Sequence, residues 1–473
     1  MFYCRENELK KMNQRYESSG FECVIVYGRR RVGKTSLIRR FCEGKPTIYF
    51  SALLEETAKE NLKTLSRAIG EYKTGDAQSA PEYRSFDDAF AEITRLASKE
   101  KLIFVIDEYP YLAKAAQTIS SRLQHLIDHA WSETNLYLIL CGSSMSFMEN
   151  QVLGYQSPLY GRRTAQFKIA PLTYRETAVF NPDLTPEQNA YVYGITGGIP
   201  HYINKLDVRG NLNRALLDNL FDPSAYLFEE PSNLLKQELR EPAIYNAIIT
   251  AIAEGHTRMS EIASKVGMES SACSKYISVL LSLGILSKVT PVTEKAGRKT
   301  VYKVSDPFFL FWYRFVPQNI TAIASGRMDR IFDKAVSSRL PDYMGLIFEQ
   351  MCREYLLFYN DALDVQIVDI GEWWGTDEKE KKQVQIDIVG TTPVKNEFLI
   401  GSCKFRNEKV GYDELELMRH YAGVFARNGK FRYVIFSKTG FSDSLLEAER
   451  NGEVRLVTLS DMYRENGEKG ASK

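Results

Sequence analysis

At 473 residues the chain is too long for one hydrophobic core to organise, so about three domains are expected. Hydrophobic residues make up 44% and charged residues 26%, an ordinary globular balance, and no apolar run approaches the roughly 20 residues that cross a bilayer. The net charge of +1 sets up no global field toward nucleic acid or an anionic membrane, so any DNA contact must come from a local patch.

The start, MFYCRENELKKMNQRYESSG, reads as a charged amphipathic helix with no apolar stretch ending in small residues, so no secretory leader is expected. The seven cysteines (Cys4, Cys23, Cys42, Cys141, Cys273, Cys352, Cys403) are scattered and never form CxxC. They read as free thiols of a reducing compartment, with neither a disulfide framework nor a zinc site, and a cytoplasmic protein is expected.

Strands and helices then alternate. ECVIVYG (22–28) reads as a buried strand, and KTSLIRRFC (34–42) opens a helix directly after two glycines. TIYFS (47–51) is a second strand, helices follow near 57–73 and 86–98, and LIFVID (102–107) is a third strand. A helix near 117–131 precedes LYLILCG (136–142). Continuous apolar strands between helices predict an α/β fold with a parallel sheet covered on both faces, over residues 1–170. Residues 171–236 have helical periodicity broken by GITGGIP (194–200), which reads as a helical lid. Residues 237–318 run helix, helix, longer helix, then two strands around KAGRK, the order of a winged helix-turn-helix. Residues 319–473 form a last α/β unit: a helix around 344–358, strands near 364–369, 383–390 and 397–403, a helix at 411–427 and a strand at 431–436. The polar tail ENGEKGASK reads as disordered.

GRRRVGKT (28–35) fits G-x-x-x-x-G-K-[ST], with the apolar strand before it and the helix after it that a P-loop requires. Gly28 and Gly33 let the backbone wrap a phosphate, and the amides and helix start favour the anion. Lys34 is placed between β- and γ-phosphates, Thr35 on Mg²⁺, and Arg31 and Ser36 in the same loop. The side chains of Arg29, Arg30 and Arg31 are expected to point outward, because the loop grips phosphate through its backbone. Asp107 ends a buried strand, so its carboxylate can reach the Mg²⁺ shell, and Glu108 next to it is the expected base for the attacking water. A DE pair on a surface carries no such meaning; one that follows a buried apolar strand does. LILCGSS places Ser144 at a strand end, as a γ-phosphate sensor or as a helix N-cap. SPLYGRRT carries Arg162 and Arg163, one of which would neutralise transition-state charge; a solvated basic turn is the plainer reading.

GRRRVGKTSLIRRF, FVIDEYPYL, ILCGSSMSFME, SPLYGRRTAQFKIAPLTYRE and GGIPHYI together resemble the archaeal-type ATPases, members of the STAND class of P-loop ATPases related to AAA+ proteins. The resemblance spans essentially the whole chain. It implies ATP with Mg²⁺, an extra sheet strand between the Walker A and Walker B strands (an ASCE-type sheet), a winged helix, and a C-terminal restriction-endonuclease-like domain. It also implies that GGIP, ending in Pro200, is a lid motif that responds to nucleotide state.

In the winged segment, Ser270, Ser271, Ser274 and Lys275 fall on the exposed start of the longer helix, and Ile277, Leu280, Leu281 and Leu283 on a buried face. Lys295, Arg298 and Lys299 give the wing a basic tip suited to phosphates, opposed by Glu269 and Glu294. Double-stranded DNA and a protein partner both fit such a module. In the C-terminal unit, GLIFEQMCREYL, GEWWG, QVQIDIVG and EFLIGSCKF resemble a PD-(D/E)xK nuclease domain, which carries over Glu349, Asp387 and Lys404. Where that pattern has an acid two before the lysine, this chain has Ser402, which brings no charge to a hard divalent cation; Glu397 or Glu414 are the neighbours that could replace it.

HLIDH (125–129) lacks the glutamate of a zinc-protease helix and reads as an exposed face, and PFFLFWYRF (307–315) reads as buried packing. The expected function is an ATP-hydrolysing switch that couples nucleotide state to the winged helix and nuclease-like domain on DNA. The alternatives are an ATP-regulated DNA nuclease and an ATP-gated protein scaffold; an oligomer fits each of them.

Overall fold

The computed structural model describes residues 3–76, 82–294, 297, 299–359 and 365–464. The chain divides into two compact units, Met1–Pro171 and Leu172–Lys473.

The first unit runs α1 (Glu6–Glu17), β1 (Glu22–Tyr27), α2 (Lys34–Cys42), β2 (Thr47–Ser51), α3 (Ala58–Thr74), α4 (Phe86–Ala97), β3 (Leu102–Asp107), α5 (Tyr109–Ala115), α6 (Ile119–His129), β4 (Leu136–Gly142), α7 (Met145–Phe147) and β5 (Ala165–Lys168). Its five strands are all parallel in the order β2-β3-β4-β1-β5, so β4 is the extra strand between β1 and β3. Every residue of β1, β3 and β4 is buried, which is why these strands read as unbroken apolar runs. Helix starts are chemically marked: Thr57 and Glu60 form a reciprocal capping box on α3, and Ser85 caps α4. On one sheet face Trp131 meets Phe90 and Phe104 edge-on at 5.8 and 6.5 Å, and its indole N–H donates to Thr94 Oγ1 at 2.8 Å. This aromatic packing holds β3 rigidly and so fixes where its last residue, Asp107, emerges.

The second unit opens with α8 (Tyr174–Ala178), α9 (Pro186–Thr196), α10 (Pro200–Ile203), α11 (Leu212–Leu220) and α12 (Tyr226–Glu238). Then come α13 (Pro242–Ala253), α14 (Met259–Val266), α15 (Ser270–Ser282) and the antiparallel pair β6 (Leu286–Val289) and β7 (Val301–Val304). On α15, Ser270, Ser271, Ser274 and Lys275 are exposed and Cys273, Ile277 and Leu280 buried, while Leu281 and Leu283 are half-buried. Lys295 and Arg298 lie outside the described residues; Lys299 is bound to Glu294 at 2.6 Å. Four helices follow: α16 (Pro307–Phe315), α17 (Ile320–Ala324), α18 (Met328–Ala335) and α19 (Leu340–Phe358). In α16, Phe308, Phe309, Phe311, Tyr313 and Phe315 are all buried, as core packing demands.

The last part is β8 (Asp369–Asp377), β9 (Lys382–Thr391), β10 (Glu397–Lys404), α20 (Tyr412–Phe425), β11 (Lys430–Ser437), α21 (Asp443–Arg450), β12 (Arg455–Thr458) and α22 (Leu459–Tyr463). The sheet order is β12-β11-β10-β9-β8, with β8, β9 and β10 antiparallel and β10, β11 and β12 parallel. The strand expected near 364–369 is corrected: pairing begins at Asp369 and runs through GEWWG to Asp377 against β9. The hairpin partner, not local hydrophobicity, makes this glycine- and tryptophan-containing stretch a strand, with a bulge between Gly371 and Trp373. Residue 364 and the tail from 465 lie outside the described residues. Among the described residues no helix is long and apolar enough to cross a membrane.

Candidate functional site

Gly28 leaves β1 with φ of 155°, and a Cβ there would stand 2.3 Å from the Ile169 carbonyl oxygen, so only glycine fits. Gly33 enters α2 from the left-handed region, φ 95°, with open space around it. Between them Arg31 is also left-handed, φ 70°, an uncommon state for a side-chain-bearing residue and one that concentrates at functional loops. Lys34, 6% exposed, curls back over the loop and donates to the Gly28 and Arg29 carbonyls, both at 2.8 Å. Burial pulls its pKa down. The expectation that the loop arginines all point outward is corrected: Arg30 donates to the Tyr111 hydroxyl and Arg31 buries its Nη1. The Arg30 guanidinium is turned toward Tyr111 on α5. Arg5, buried on the lead-in segment, donates to Ala170 O at 2.6 Å and to Val32 O at 3.4 Å, bracing the loop from behind.

Thr35 Oγ1 donates to Asp107 Oδ2 at 3.1 Å, and Tyr49 on β2 donates to the same oxygen at 2.6 Å. The other carboxylate oxygen accepts the Glu108 N–H at 3.0 Å. The register of β2 on β3, with Ser51 opposite Asp107, brings Tyr49 there. Burial, followed by the charge of Asp107, pushes the Tyr49 phenol far up, so it stays a donor. A hydroxyl and a carboxylate side by side are hard oxygen donors that fit Mg²⁺. Glu108 has φ 53° and ψ 44°, a strained left-handed conformation at the start of α5, and Oε2 accepts from Ser143 N (3.2 Å) and Oγ (2.9 Å). Ser143, directly after β4, thus orients the candidate base. Ser144 occupies the N-cap position of the short α7 without a side-chain cap bond. Tyr49, Ser143 and Arg5 were not singled out from sequence. Only a parallel-sheet register and a return of the chain bring them to the loop.

Thr35 and Ser36 are exposed on the first turn of α2. Arg162 is bound by both oxygens of Asp128 on α6, at 2.8 and 2.7 Å, and also donates to the Pro158 and Tyr160 carbonyls. Arg163 is exposed and its charge reaches Tyr27, the last residue of β1. The expectation that one of the two faces the phosphates is corrected: Thr164 N–H donates to Cys23 O and Ala165 pairs with Val24, so both arginines lie by the start of β1, at the other end of that strand from the loop. Pro200 is the first residue of α10 in the second unit, after Gly197 and Gly198 at φ 63° and 67°. A Cβ on Gly198 would sit 2.0 Å from Leu172 O, so the GGIP turn needs its glycine for close backbone approach.

In the C-terminal sheet Glu349 comes from α19, Asp387 from β9 and Lys404 from the end of β10. Asp387 Oδ2 accepts the Cys403 N–H at 2.9 Å, and Arg353 lies 3.8 Å from Glu349 and donates to the Asp387 carbonyl at 3.3 Å. Burial first, then Asp387, pushes the Glu349 carboxyl up to about 7, and burial raises Asp387 as well. Ser402 donates to Glu414 Oε1 at 2.7 Å, and Lys404 Nζ is 3.1 Å from the same oxygen. Glu414, from α20, therefore brings a carboxylate to the place where the strand carries serine. Glu397 is bound instead to Arg432 at 3.1 Å.

His125 and His129 are exposed, with ring centroids 4.6 Å apart. Among the described residues, Asp377, Glu380 and His420 offer three ligand atoms within 4.8 Å of one another. Asp377 also accepts the N–H groups of Lys379 and Glu380, so this grouping closes the β8–β9 turn.

Residues 2–206 match the family model described as an ATPase domain predominantly from Archaea, and residues 312–415 match one described as archaeal and bacterial proteins of unknown function. Over 466 residues the chain is 29% identical to Uncharacterized protein MJECL04 of Methanocaldococcus jannaschii, covering 98% of this chain and 100% of that one. It is 44% identical over 45 residues to Uncharacterized ATP-binding protein MJ0423 of the same organism, 10% of this chain and 76% of the relative. Among solved structures, the Walker-type ATPase PABY2304 of Pyrococcus abyssi is similar in fold, with a TM-score of 0.52 at 21% identity, over 66% of this chain and 96% of that one.

Proposed function

We propose that this chain, with an archaeal ATPase domain over its first 206 residues, binds ATP with Mg²⁺ at Gly28–Thr35 and hydrolyses it as a molecular switch. The observation that carries the reading is the joining of Thr35 to Asp107 at 3.1 Å, with Glu108 held beside them by Ser143. The loop amides and Lys34 bind the phosphates; Lys34 does so by exchanging its two carbonyl partners for anionic oxygens. Thr35 and Asp107 would hold Mg²⁺, which when bound offsets charge on the phosphates. Glu108 accepts a proton from water, and Ser143 keeps its carboxylate aimed. Ser36 and Arg31 line the loop, Ser144 senses the γ-phosphate, and Pro200 belongs to the lid turn that answers to nucleotide. The test is ATP turnover by wild type and Lys34→Ala, with and without duplex DNA. Equal turnover by the two proteins overturns the reading.

In the same reading residues 237–318 are a winged helix whose exposed serines and Lys275 on α15 meet DNA, and residues 319–473 a restriction-endonuclease-like domain. The position of Glu414 against Ser402 and Lys404 favours a second activity there. Glu349, Asp387 and Glu414 would hold a divalent cation, and Lys404 would position water for phosphodiester cleavage. Plasmid nicking with Mg²⁺ or Mn²⁺ by wild type, Asp387→Ala, Lys404→Ala and Glu414→Ala tests it. Nicking that survives all three substitutions removes the nuclease assignment; DNA binding without nicking by wild type leaves a binding domain.

A further inference from the structure

The second unit contains a cleft of about 580 Å³ that lies outside the sites described so far except at one wall, where it meets Glu349. Its floor is apolar, with Ile252, Val304, Leu310 and Ile347, and four cationic side chains open onto it: Lys303, Arg314, Arg339 and Arg353. Two of these are already spent. Lys303 Nζ binds both oxygens of Glu372 at 2.6 and 2.7 Å, and Arg353 is taken by Glu349 and the Asp387 carbonyl.

Arg314 and Arg339 are different. Arg339 donates to the Gln318 amide oxygen at 3.2 Å and lies over the Phe315 ring at 5.3 Å, but forms no ion pair among the described residues. Arg314 is half-buried on α16 and has neither a hydrogen bond nor an ion pair among the described residues. Burial, followed by the charge of Arg339, pulls the Arg314 pKa down, with Asp342 opposing the shift less strongly. Two like charges held together at a half-dry surface raise the energy of the empty cleft. A doubly charged anion between them removes that cost, and guanidinium groups grip phosphate with paired N–H donors.

We propose that this cleft binds a small organic phosphate, with its apolar part on Ile252, Leu310 and Ile347 and its phosphate between Arg314 and Arg339. The volume falls within the roughly 300–1,000 Å³ of small-ligand sites and is too small to enclose a duplex. The mixed lining calls for both parts of the ligand: the floor offers nothing to inorganic phosphate alone, and the arginines nothing to a neutral hydrocarbon. This cleft is lined by the second unit, and the nucleotide loop belongs to the first.

The test uses the full chain carrying Lys34→Ala, so that binding at Gly28–Thr35 does not contribute, and naphthyl phosphate as the probe in isothermal titration calorimetry. The expected result is saturable one-to-one binding, weakened about tenfold or more by Arg314→Gln or Arg339→Gln and partly restored by Arg314→Lys. Naphthol and inorganic phosphate should each bind at least about tenfold more weakly than the ester. Leu346→Trp, at the rim, fills the mouth without changing charge and should also block the probe, which keeps the test open if an arginine variant fails to fold. No saturable binding, or equal affinity in Arg314→Gln and Arg339→Gln, overturns the proposal. So does displacement of the probe by a short single-stranded DNA more tightly than by nucleoside monophosphates.

Discussion

The Thr35 hydroxyl and the Asp107 carboxylate meet at 3.1 Å, joining the first turn of α2 to the last residue of β3. These residues are 72 positions apart, and the contact exists only because β1 and β3 run parallel with their C-terminal ends at the same sheet edge. Under the proposed function this pair holds Mg²⁺. Thr35→Ala and Asp107→Asn should therefore each lower Mg²⁺-dependent ATP turnover by on the order of 10²-fold, while leaving the melting temperature within a few degrees. The check is turnover measured across a Mg²⁺ titration. Full activity of Asp107→Asn at ordinary Mg²⁺ would rule the assignment out.

Glu108 and Ser143 should separate chemistry from positioning. Glu108→Gln removes the base and should cost about 10²–10⁴ in turnover while nucleotide is still bound. Ser143→Ala keeps the backbone N–H to Glu108 and loses only the 2.9 Å hydroxyl bond, so the loss should be far smaller, roughly fivefold for about 1 kcal/mol. Single-turnover kinetics and nucleotide affinity read the two effects apart. A Ser143→Ala defect as deep as that of Glu108→Gln would contradict the division of roles.

The two loop glycines should fail for different reasons. Gly28→Ala drives a methyl to 2.3 Å from the Ile169 carbonyl oxygen and should destabilise the first unit by about 1–3 kcal/mol, because backbone must move. Gly33→Ala meets open space and bears only the strain of φ 95°, about 1–2 kcal/mol. Urea midpoints rank them, and a larger loss at Gly33 than at Gly28 would show that the close approach of Ile169 is not the constraint.

Glu349 makes stability depend on pH. Its carboxyl sits at about 7 in the folded chain against 4.5 for the free group, so folding favours the protonated form. A raised carboxyl destabilises progressively as pH climbs from about 4.5 to about 7 and fully above that. Glu349→Gln mimics the protonated acid. It should melt like wild type at pH 4 and be more stable at pH 8, by at most roughly 3 kcal/mol. If a divalent cation belongs at Glu349, Asp387 and Glu414, adding Mn²⁺ at pH 8 should raise the wild-type midpoint and leave Glu349→Gln unmoved. Identical melting curves for the two proteins at both pH values would show that the carboxyl is not held up.

The nucleotide loop, the sheet class and the ends of most elements were legible in the residues alone, because the features behind them are local. Two glycines five apart, a lysine and a threonine between a fully buried strand and a helix define GRRRVGKT within one short stretch, and caps such as Thr57 and Glu60 act over a single turn. Strand β8 was misplaced for the opposite reason: DIGEWWGTD pairs through its neighbour β9 rather than through a pattern of its own. What tertiary structure decided was which distant side chains share an atom. Tyr49 reaches Asp107 and Ser143 reaches Glu108 through parallel register; α20 brings Glu414 to Ser402, and the fold sets Arg314 and Arg339 on one cleft. Backbone conformation and capping act over a few residues and leave their mark in order along the chain. Electrostatic and hydrogen-bond partnerships depend on distance in space, which packing sets and the order of residues does not display.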